Sequence, residues 1–413
     1  MKAEIIAIGS ELLTPERIDT NSLYLTEKLN EIGIDVHLKT IVGDDEANLE
    51  RVVRSARERS DLIISSGGLG PTEDDVTKQV FARVLGRELQ LDEKIVEWLK
   101  QRFAKYGFKM PEINVRQAYI PVGAIVLTNH TGTAPGVWME EKGVKVVLLP
   151  GPPRELKPMF DREVFPRLQA LSGDRRLLRR VLKIAGLTES RTDSLAAPVY
   201  TQYKDIRTTI LASPGSVELH ISVVAEPGSE AERRLSELEE KIAAVLGDHL
   251  YSRSGENLEE VVGQSLLRHK ATLAVAESCT GGLIAERITR VPGASVYLLG
   301  SVVCYSEAAK VDLCGVAPEL LREKGPVSAE VVERMAERIR ERFGATIGLA
   351  VTGIAGPSGG TPETPVGLVF IGLACAGRVF HKRFQFPGDR EVVRFLASQS
   401  ALDLVRREMK DEG

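Results

Sequence analysis

Leu273-Ala274-Val275-Ala276-Glu277-Ser278-Cys279-Thr280-Gly281-Gly282, followed by a helical pattern from Leu283, is the stretch that decides how this chain is read. An apolar run that ends in a tight polar turn and resumes as a helix is a strand–turn–helix unit, the repeating element of an α/β sheet. Two hydroxyls and a thiol sit on the turn. Backbone N–H groups left without partners where a helix begins attract anions and oxyanions. A nucleophile on that turn would have oxyanion donors beside it, so the stretch marks a candidate covalent-catalysis site.

Working outward, residues 256–410 alternate throughout. Helix 258–269 precedes the strand into Ala276 and the helix after it. Strand 296–305, helix 329–342, strands 346–351, 367–374 and 378–384, and a terminal helix 389–407 follow. Residues 1–172 alternate in the same way, from a strand at 4–8 and a helix at 22–31 to strands at 124–127, 137–140 and 144–149. That pattern predicts a mostly parallel sheet covered by helices. Between them, residues 178–252 read as strand, helix, two strands and a charged helix 230–246, with turns at Ser213-Pro214-Gly215 and Glu226-Pro227-Gly228. The expectation is α/β, then a small α+β module, then α/β.

At 413 residues the chain is too long for one ordinary core. A net charge of −4 gives no field that would hold nucleic acid or an anionic membrane, and the basic cluster Arg175, Arg176, Arg179, Arg180 is short. No apolar stretch approaches the roughly 18 residues that span a bilayer. Lys2-Ala3-Glu4-Ile5 reads at once as a strand, so no leader is expected. Cys279, Cys304, Cys314 and Cys375 form no CxxC pair, and a reduced cytoplasm is the expected compartment.

A serine nucleophile needs a base. In the last segment the histidines outside the turn are His269 and His381, and neither ends a strand. Lys310 is the better base, in Cys304-Tyr305-Ser306-Glu307-Ala308-Ala309-Lys310, because desolvation lowers a lysine pKa toward working pH. Tyr305 would relay the proton or fix the substrate. A second loop, Thr352-Gly353-Ile354-Ala355-Gly356-Pro357-Ser358-Gly359-Gly360, follows an apolar strand. Loops after neighbouring parallel strands open on one edge of the sheet, where α/β proteins bind ligands. Each signal also has a plainer use: Ser278 and Thr280 as helix caps, Lys310 as a solvated surface residue, Tyr305 as a strand end.

In the first segment, Ser66-Gly67-Gly68-Leu69-Gly70-Pro71-Thr72-Glu73-Asp74-Asp75 follows an apolar strand. Its glycine N–H groups suit phosphate, and the two aspartates suit a hard divalent cation. Thr72-x-x-Asp75 also reads as a capping box for a helix over 76–85. Further polar strand ends are Gly9-Ser10-Glu11-Leu12-Leu13, Asp19-Thr20-Asn21, Asn129 to Gly136 and Pro150-Gly151-Pro152-Pro153.

Taken together, Ala276 to Gly282, Tyr305 with Lys310, Thr352 to Pro357 and Phe386-Pro387-Gly388-Asp389-Arg390 resemble the C-terminal domain of the CinA family. The motifs of the first segment, in order, resemble the same family's N-terminal domain, which has the molybdopterin-binding (MoaB/MogA-like) fold. The middle segment is similar to its KH-type module. The resemblance implies a bifunctional hydrolase of pyridine-nucleotide salvage. Its C-terminal domain would be a nicotinamide-nucleotide amidase converting nicotinamide mononucleotide to nicotinate mononucleotide and ammonia without a cofactor.

By that resemblance Ser278 is the nucleophile, Lys310 the general base and Tyr305 its assistant. Thr352, Gly353 and Arg390 hold the nucleotide, and Cys279, Thr280, Gly281 and Gly282 surround the carboxamide, with the turn N–H groups of 280–282 on the oxyanion. Cys279 is the rival nucleophile. The N-terminal domain would be a metal-dependent ADP-ribose pyrophosphatase, with a divalent ion on Asp74 and Asp75, phosphate on Gly67, Gly68 and Gly70, and Glu11 and Asn21 on the same edge. One departure is Thr14-Pro15-Glu16, which stands where many family members carry glycine. The middle segment has no GxxG loop and carries an acidic helix, so RNA is not an expected partner. It is expected to be a spacer or a homodimer contact, and small nucleotides are the expected ligands. The competing reading is a non-catalytic molybdopterin-type ligand- or partner-binding protein linked to competence or DNA repair.

Overall fold

The computed structural model describes residues 1–410. Packing separates two compact units, one of Met1–Leu178 with Val223–Arg233, the other of Arg179–Ser222 with the chain from Arg234 onward.

The first unit is built on β1 (Lys2–Ile8), buried along all but its first residue, as a strand covered on both faces must be. After it come α1 (Thr20–Glu31), β2 (Asp35–Val42), α2 (Glu46–Arg59), β3 (Leu62–Ser66), α3 (Thr77–Leu85), β4 (Leu89–Leu91), α4 (Glu93–Lys105) and β5 (Tyr119–Pro121). Then β6 (Ile125–Leu127), β7 (Gly136–Glu141), β8 (Val144–Leu149), α5 (Pro153–Met159) and α6 (Phe165–Ser172) complete it. The sheet order is β2-β1-β3-β8-β7-β6, parallel through β8 and antiparallel beyond. Neighbouring residues of β1 serve opposite cores, because side chains alternate across a strand. Ile6 packs with α2, α3 and α4, and Ile5 with α1, α5 and α6. Asp19 and Asp45 cap α1 and α2 by accepting from Ser22 N and Asn48 N.

Two details depart from the sequence expectation. β4 and β5 form a separate antiparallel ribbon, too short to leave a periodic signal. The helix expected from Arg154 passes through a π turn at Phe160–Val164 between α5 and α6.

The second unit carries two sheets. The smaller, most of whose residues belong to this unit, uses β9 (Arg176–Ile184), α7 (Glu189–Tyr200), β10 (Arg207–Ser213), β11 (Ser216–Ala225), α8 (Glu230–Leu246) and β12 (Leu250–Ser252), in the order β10-β11-β9-β12. The larger uses α9 (Leu258–Arg268), β13 (Leu273–Glu277), α10 (Leu283–Thr289), β14 (Leu298–Val303), α11 (Glu307–Cys314) and α12 (Pro318–Lys324). It is completed by α13 (Ala329–Phe343), β15 (Ile347–Gly353), β16 (Leu368–Cys375), β17 (Arg378–Gln385) and α14 (Arg390–Glu408). Its order is β14-β13-β15-β16-β17, with β13 parallel to both neighbours. The C-terminal ends of β13, β14 and β15 therefore open on one edge, which is where ligands of such sheets bind. The expected strand 296–305 is trimmed to β14 by a 3₁₀ turn at Ala294–Val296. Among the described residues no helix is long and apolar enough to cross a membrane.

Candidate active sites

Ser278 is the first residue past β13, buried, with its N–H donating to Val351 O at 3.0 Å. The residue before it explains the turn. Glu277 is 0% exposed, and its carboxylate accepts from Gly282 N and Ile284 N at 3.0 Å and from Ala285 N at 2.9 Å. A charge at the end of an apolar strand thus caps α10 from beneath, and its burial is offset by three N–H donors. α10 is also tied by the buried Arg287, which donates to Glu259 and Gln399 at 2.7 Å and to Ser398 at 2.9 Å. Arg394 donates to Thr280 O at 2.8 Å. The turn carrying Ser278 is held from three sides.

Lys310, one turn into α11, is 2% exposed. Its Nζ lies 3.0 Å from Ser278 Oγ and donates to Cys304 O at 3.1 Å. Burial pulls its pKa below the ordinary lysine value, while the neighbouring Cys304, Cys279 and Cys314 thiols and Glu307 pull the other way. A desolvated amine within hydrogen-bond distance of a hydroxyl is the geometry of a serine activated by a lysine. Cys279 fares differently: burial pushes its thiol up to about 12, which leaves little thiolate at neutral pH.

A cavity of about 330 Å³ opens over Ser278 and Lys310, lined also by Cys279, Tyr305, Glu307, Pro326, Val327, Thr352, Gly353, Ala355 and Arg390. Thr352 is held by donating to Pro326 O at 2.8 Å. Tyr305 is 58% exposed, and its hydroxyl accepts from Arg390 at 2.8 Å. Arg390 also donates to Gly356 O at 2.9 Å, so Tyr305 and Arg390 form a pair at the rim. Of the two roles expected of Tyr305, relaying the proton or fixing the substrate, this rim pairing with Arg390 is closer to the second.

The oxyanion expectation also changes. Gly281 N donates to Ser278 O and Gly282 N to Glu277, so neither amide is open to a ligand. Cys279 N and Thr280 N donate to no backbone carbonyl among the described residues and are the turn amides that remain.

In the first unit a cavity of about 320 Å³ is lined by the glycine loop Gly67, Gly68, Leu69 and Gly70, with Glu11, Asp44, Asp74, Asp75, Gln117, Gly151 and Glu155 among its other walls. The loop requires its glycines. A Cβ on Gly67, at φ 111°, would meet Ile8 O at 2.0 Å, and one on Gly68, at φ 64°, would meet Thr77 Oγ1 at 2.1 Å. Gly67 N donates to Leu149 O at 3.0 Å, so of the three expected phosphate donors Gly68 and Gly70 remain. Asn21 stands behind the wall: its amide donates to Ser66 Oγ at 2.8 Å and Gly151 O at 2.7 Å, tying α1 to two of the loops. Thr14 closes the departing segment by donating from its hydroxyl to Glu11 O at 2.8 Å.

Thr72 and Asp75 do not cap α3. Thr72 N donates to Asp75 Oδ2 at 2.9 Å within the turn, and α3 begins behind Val76 without a side-chain cap. The Thr72 hydroxyl donates to Asp75 Oδ2 at 2.5 Å, and the exposed Asp74 carboxyl beside Thr72 sits below its usual range. Among the described residues no three carboxylate, imidazole or thiol groups converge as a metal site. The donor chemistry of Asp74 and Asp75 still suits a hard cation such as magnesium, which takes one or two carboxylates and completes its shell with water and substrate phosphate.

Sequence reasoning missed Glu277, Arg394 and Glu307 in one unit and Asp44, Gln117, Glu155 and Lys78 in the other. Glu277 alone left a signal, as a carboxylate closing an apolar strand. Lys78 is buried and donates to Gln117 O at 2.8 Å, with burial lowering its pKa to about 8.

Three family models match the chain in order. The "Probable molybdopterin binding domain" covers residues 4–170, the "Damage-inducible protein CinA KH domain" 179–252 and the "CinA C-terminal domain" 255–409. A CinA-like protein of Solibacter usitatus is 47% identical over 98% of this chain and 98% of its own. A competence-damage inducible protein of Acetivibrio thermocellus is 42% identical over 98% of both. Among solved structures, the protein CinA of Thermoplasma acidophilum is 35% identical, covering 39% of this chain and 94% of its own at a TM-score of 0.37. The α/β, KH-type and α/β succession read from the sequence is the architecture these matches describe, and the chain belongs to the CinA family.

Proposed function

We propose that the cavity over Ser278 is the active site of an amidase acting on nicotinamide mononucleotide. The observation that carries this reading is the buried Lys310 Nζ at 3.0 Å from Ser278 Oγ. In its neutral form Lys310 takes the Ser278 proton as Oγ attacks the carboxamide carbon. The Cys279 and Thr280 amides donate to the oxyanion. Lys310 returns the proton to the departing nitrogen, ammonia leaves, and an ester joins Ser278 to the nicotinate group. Water, deprotonated by Lys310, hydrolyses the ester and releases nicotinate mononucleotide. Arg390 and Thr352 suit the nucleotide's phosphate and ribose.

The first unit's cavity is proposed as an ADP-ribose pyrophosphatase site. Asp74 and Asp75 would hold a divalent ion, which when bound neutralises pyrophosphate charge and activates water. The Gly68 and Gly70 amides would orient the phosphates. A homodimer and a cytoplasmic setting complete the proposal, with the KH-type module as spacer or contact. The second reading, a ligand- or partner-binding protein, draws on the relatives' competence-damage inducible description and on the molybdopterin-binding model.

Hydroxylamine added to the nicotinamide mononucleotide reaction tests the covalent route. The expected product beside nicotinate mononucleotide is its hydroxamate, captured from the Ser278 ester. Ammonia without hydroxamate would refute the acyl-enzyme. No ammonia from folded protein would favour the binding reading.

A further inference from the structure

We propose that Glu307 is a specificity-determining residue that reads the positive charge of the substrate's pyridinium ring. The inference rests on the amidase reading and extends it to substrate class. Of the described side chains lining the cavity over Ser278, Glu307 is the single carboxylate. It is exposed and makes no hydrogen bond or ion pair among the described residues, although Lys310 feels its field. Arg390 at the same cavity bonds Tyr305 and Gly356 and forms no ion pair with Glu307.

Position gives the carboxylate its use. Glu307 is the first residue of α11 and Lys310 the fourth. Side chains three apart emerge on one helix face, with their Cβ atoms roughly 5–6 Å apart. Lys310 marks the place of the scissile carboxamide, because it touches Ser278. In a pyridine-3-carboxamide the ring nitrogen is meta to the ring carbon that bears the carboxamide, a few ångströms from that carbonyl carbon. A carboxylate one turn back on the same face is therefore placed for the charged ring nitrogen. The start of α11 suits a carboxylate side chain, since a helix N-terminus favours negative charge.

The plainer role of Glu307 is that helix-end interaction alone. It would stabilise α11 and would not distinguish one ring from another. A ring-reading role predicts discrimination between the N-alkylated pyridinium carboxamide nucleotide and its uncharged 1,4-dihydro form, which share every other group.

The experiment compares wild type with Glu307→Gln. It reads kcat/KM for ammonia release from nicotinamide mononucleotide, and the inhibition constant of the dihydro nucleotide as a competitor. Losing one partly solvated charge interaction at this range predicts a fall of about tenfold in kcat/KM for the cationic substrate. The dihydro nucleotide should inhibit both proteins alike. Equal weakening of both nucleotides would assign Glu307 to helix structure and overturn the proposal, as would an unchanged kcat/KM. Wild type that releases no ammonia fails the amidase reading itself, a result visible before the variant is compared.

Discussion

Replacing Glu277 with glutamine isolates what holds the nucleophile turn. In the native turn one carboxylate oxygen accepts from Gly282 N and Ile284 N and the other from Ala285 N. Glutamine keeps a single acceptor, so its NH₂ must face at least one N–H of the three. One hydrogen bond to a charged group, worth about 1.5–3 kcal/mol, is lost outright. The two that survive lose their charge assistance and with it about half their strength. Against this stands the relief of desolvating a buried carboxylate, recovered only in part, about 1–3 kcal/mol, because the buried glutamine amide is itself polar with an unpaired NH₂. The expected net loss is about 2–3 kcal/mol, confined to the start of α10. Amide hydrogen exchange reads it directly: Gly282, Ile284 and Ala285 should exchange roughly 30–150 times faster in Glu277→Gln. Calorimetry supplies the global counterpart. Trp98 and Trp138 both lie in the first unit, so their fluorescence transition should stay where it is in wild type. Unchanged exchange at the three amides would refute the cap, and a shifted tryptophan transition would show the effect is not local.

Other outcomes follow from the same structure. Lys78 is depressed to about 8 from 10.5, so the unfolded chain binds the proton more tightly between those values. The first unit should gain about 3 kcal/mol between pH 8 and 10.5, and Lys78→Met should remove that gain, read from tryptophan fluorescence in urea. Lys310→Arg keeps a cation but cannot deprotonate, and should lower ammonia release about 10²–10⁴-fold. In wild type kcat/KM should rise with pH through a midpoint below the usual lysine value, the direction burial gives Lys310. Asp75→Asn should abolish metal-dependent ADP-ribose cleavage and leave ammonia release intact; loss of both would indicate misfolding. Light scattering at micromolar concentration should return a dimer mass, and a monomer would remove the homodimer from the account.

Much of this was legible in the chain because long elements carry strong periodicity. β1, β3 and β13 are almost continuously apolar, and α13 is strongly two-faced, so the α/β layers could be read directly. Ser278, Tyr305, Lys310 and Thr352 could be brought together because parallel neighbours share an edge. The ribbon of β4 and β5 and the short helix α12 could not be read, since a few residues hold no period. The fate of individual N–H groups was equally hidden. Glu277 takes Gly282, and Leu149 takes Gly67, and only tertiary geometry shows which donors of a glycine turn are already spent. Thr72 and Asp75 matched a capping spacing but close their own turn, because the same side-chain-to-backbone bond serves turns and helix starts alike.

Ammonia release from nicotinamide mononucleotide in the presence of chelator, by wild type, Cys279→Ala, Ser278→Ala and Lys310→Ala, tests the central claim most directly. The account predicts turnover by wild type and Cys279→Ala and its loss in the other two. Turnover that survives in Ser278→Ala, or is lost in Cys279→Ala with the fold intact, would contradict the Ser278–Lys310 amidase.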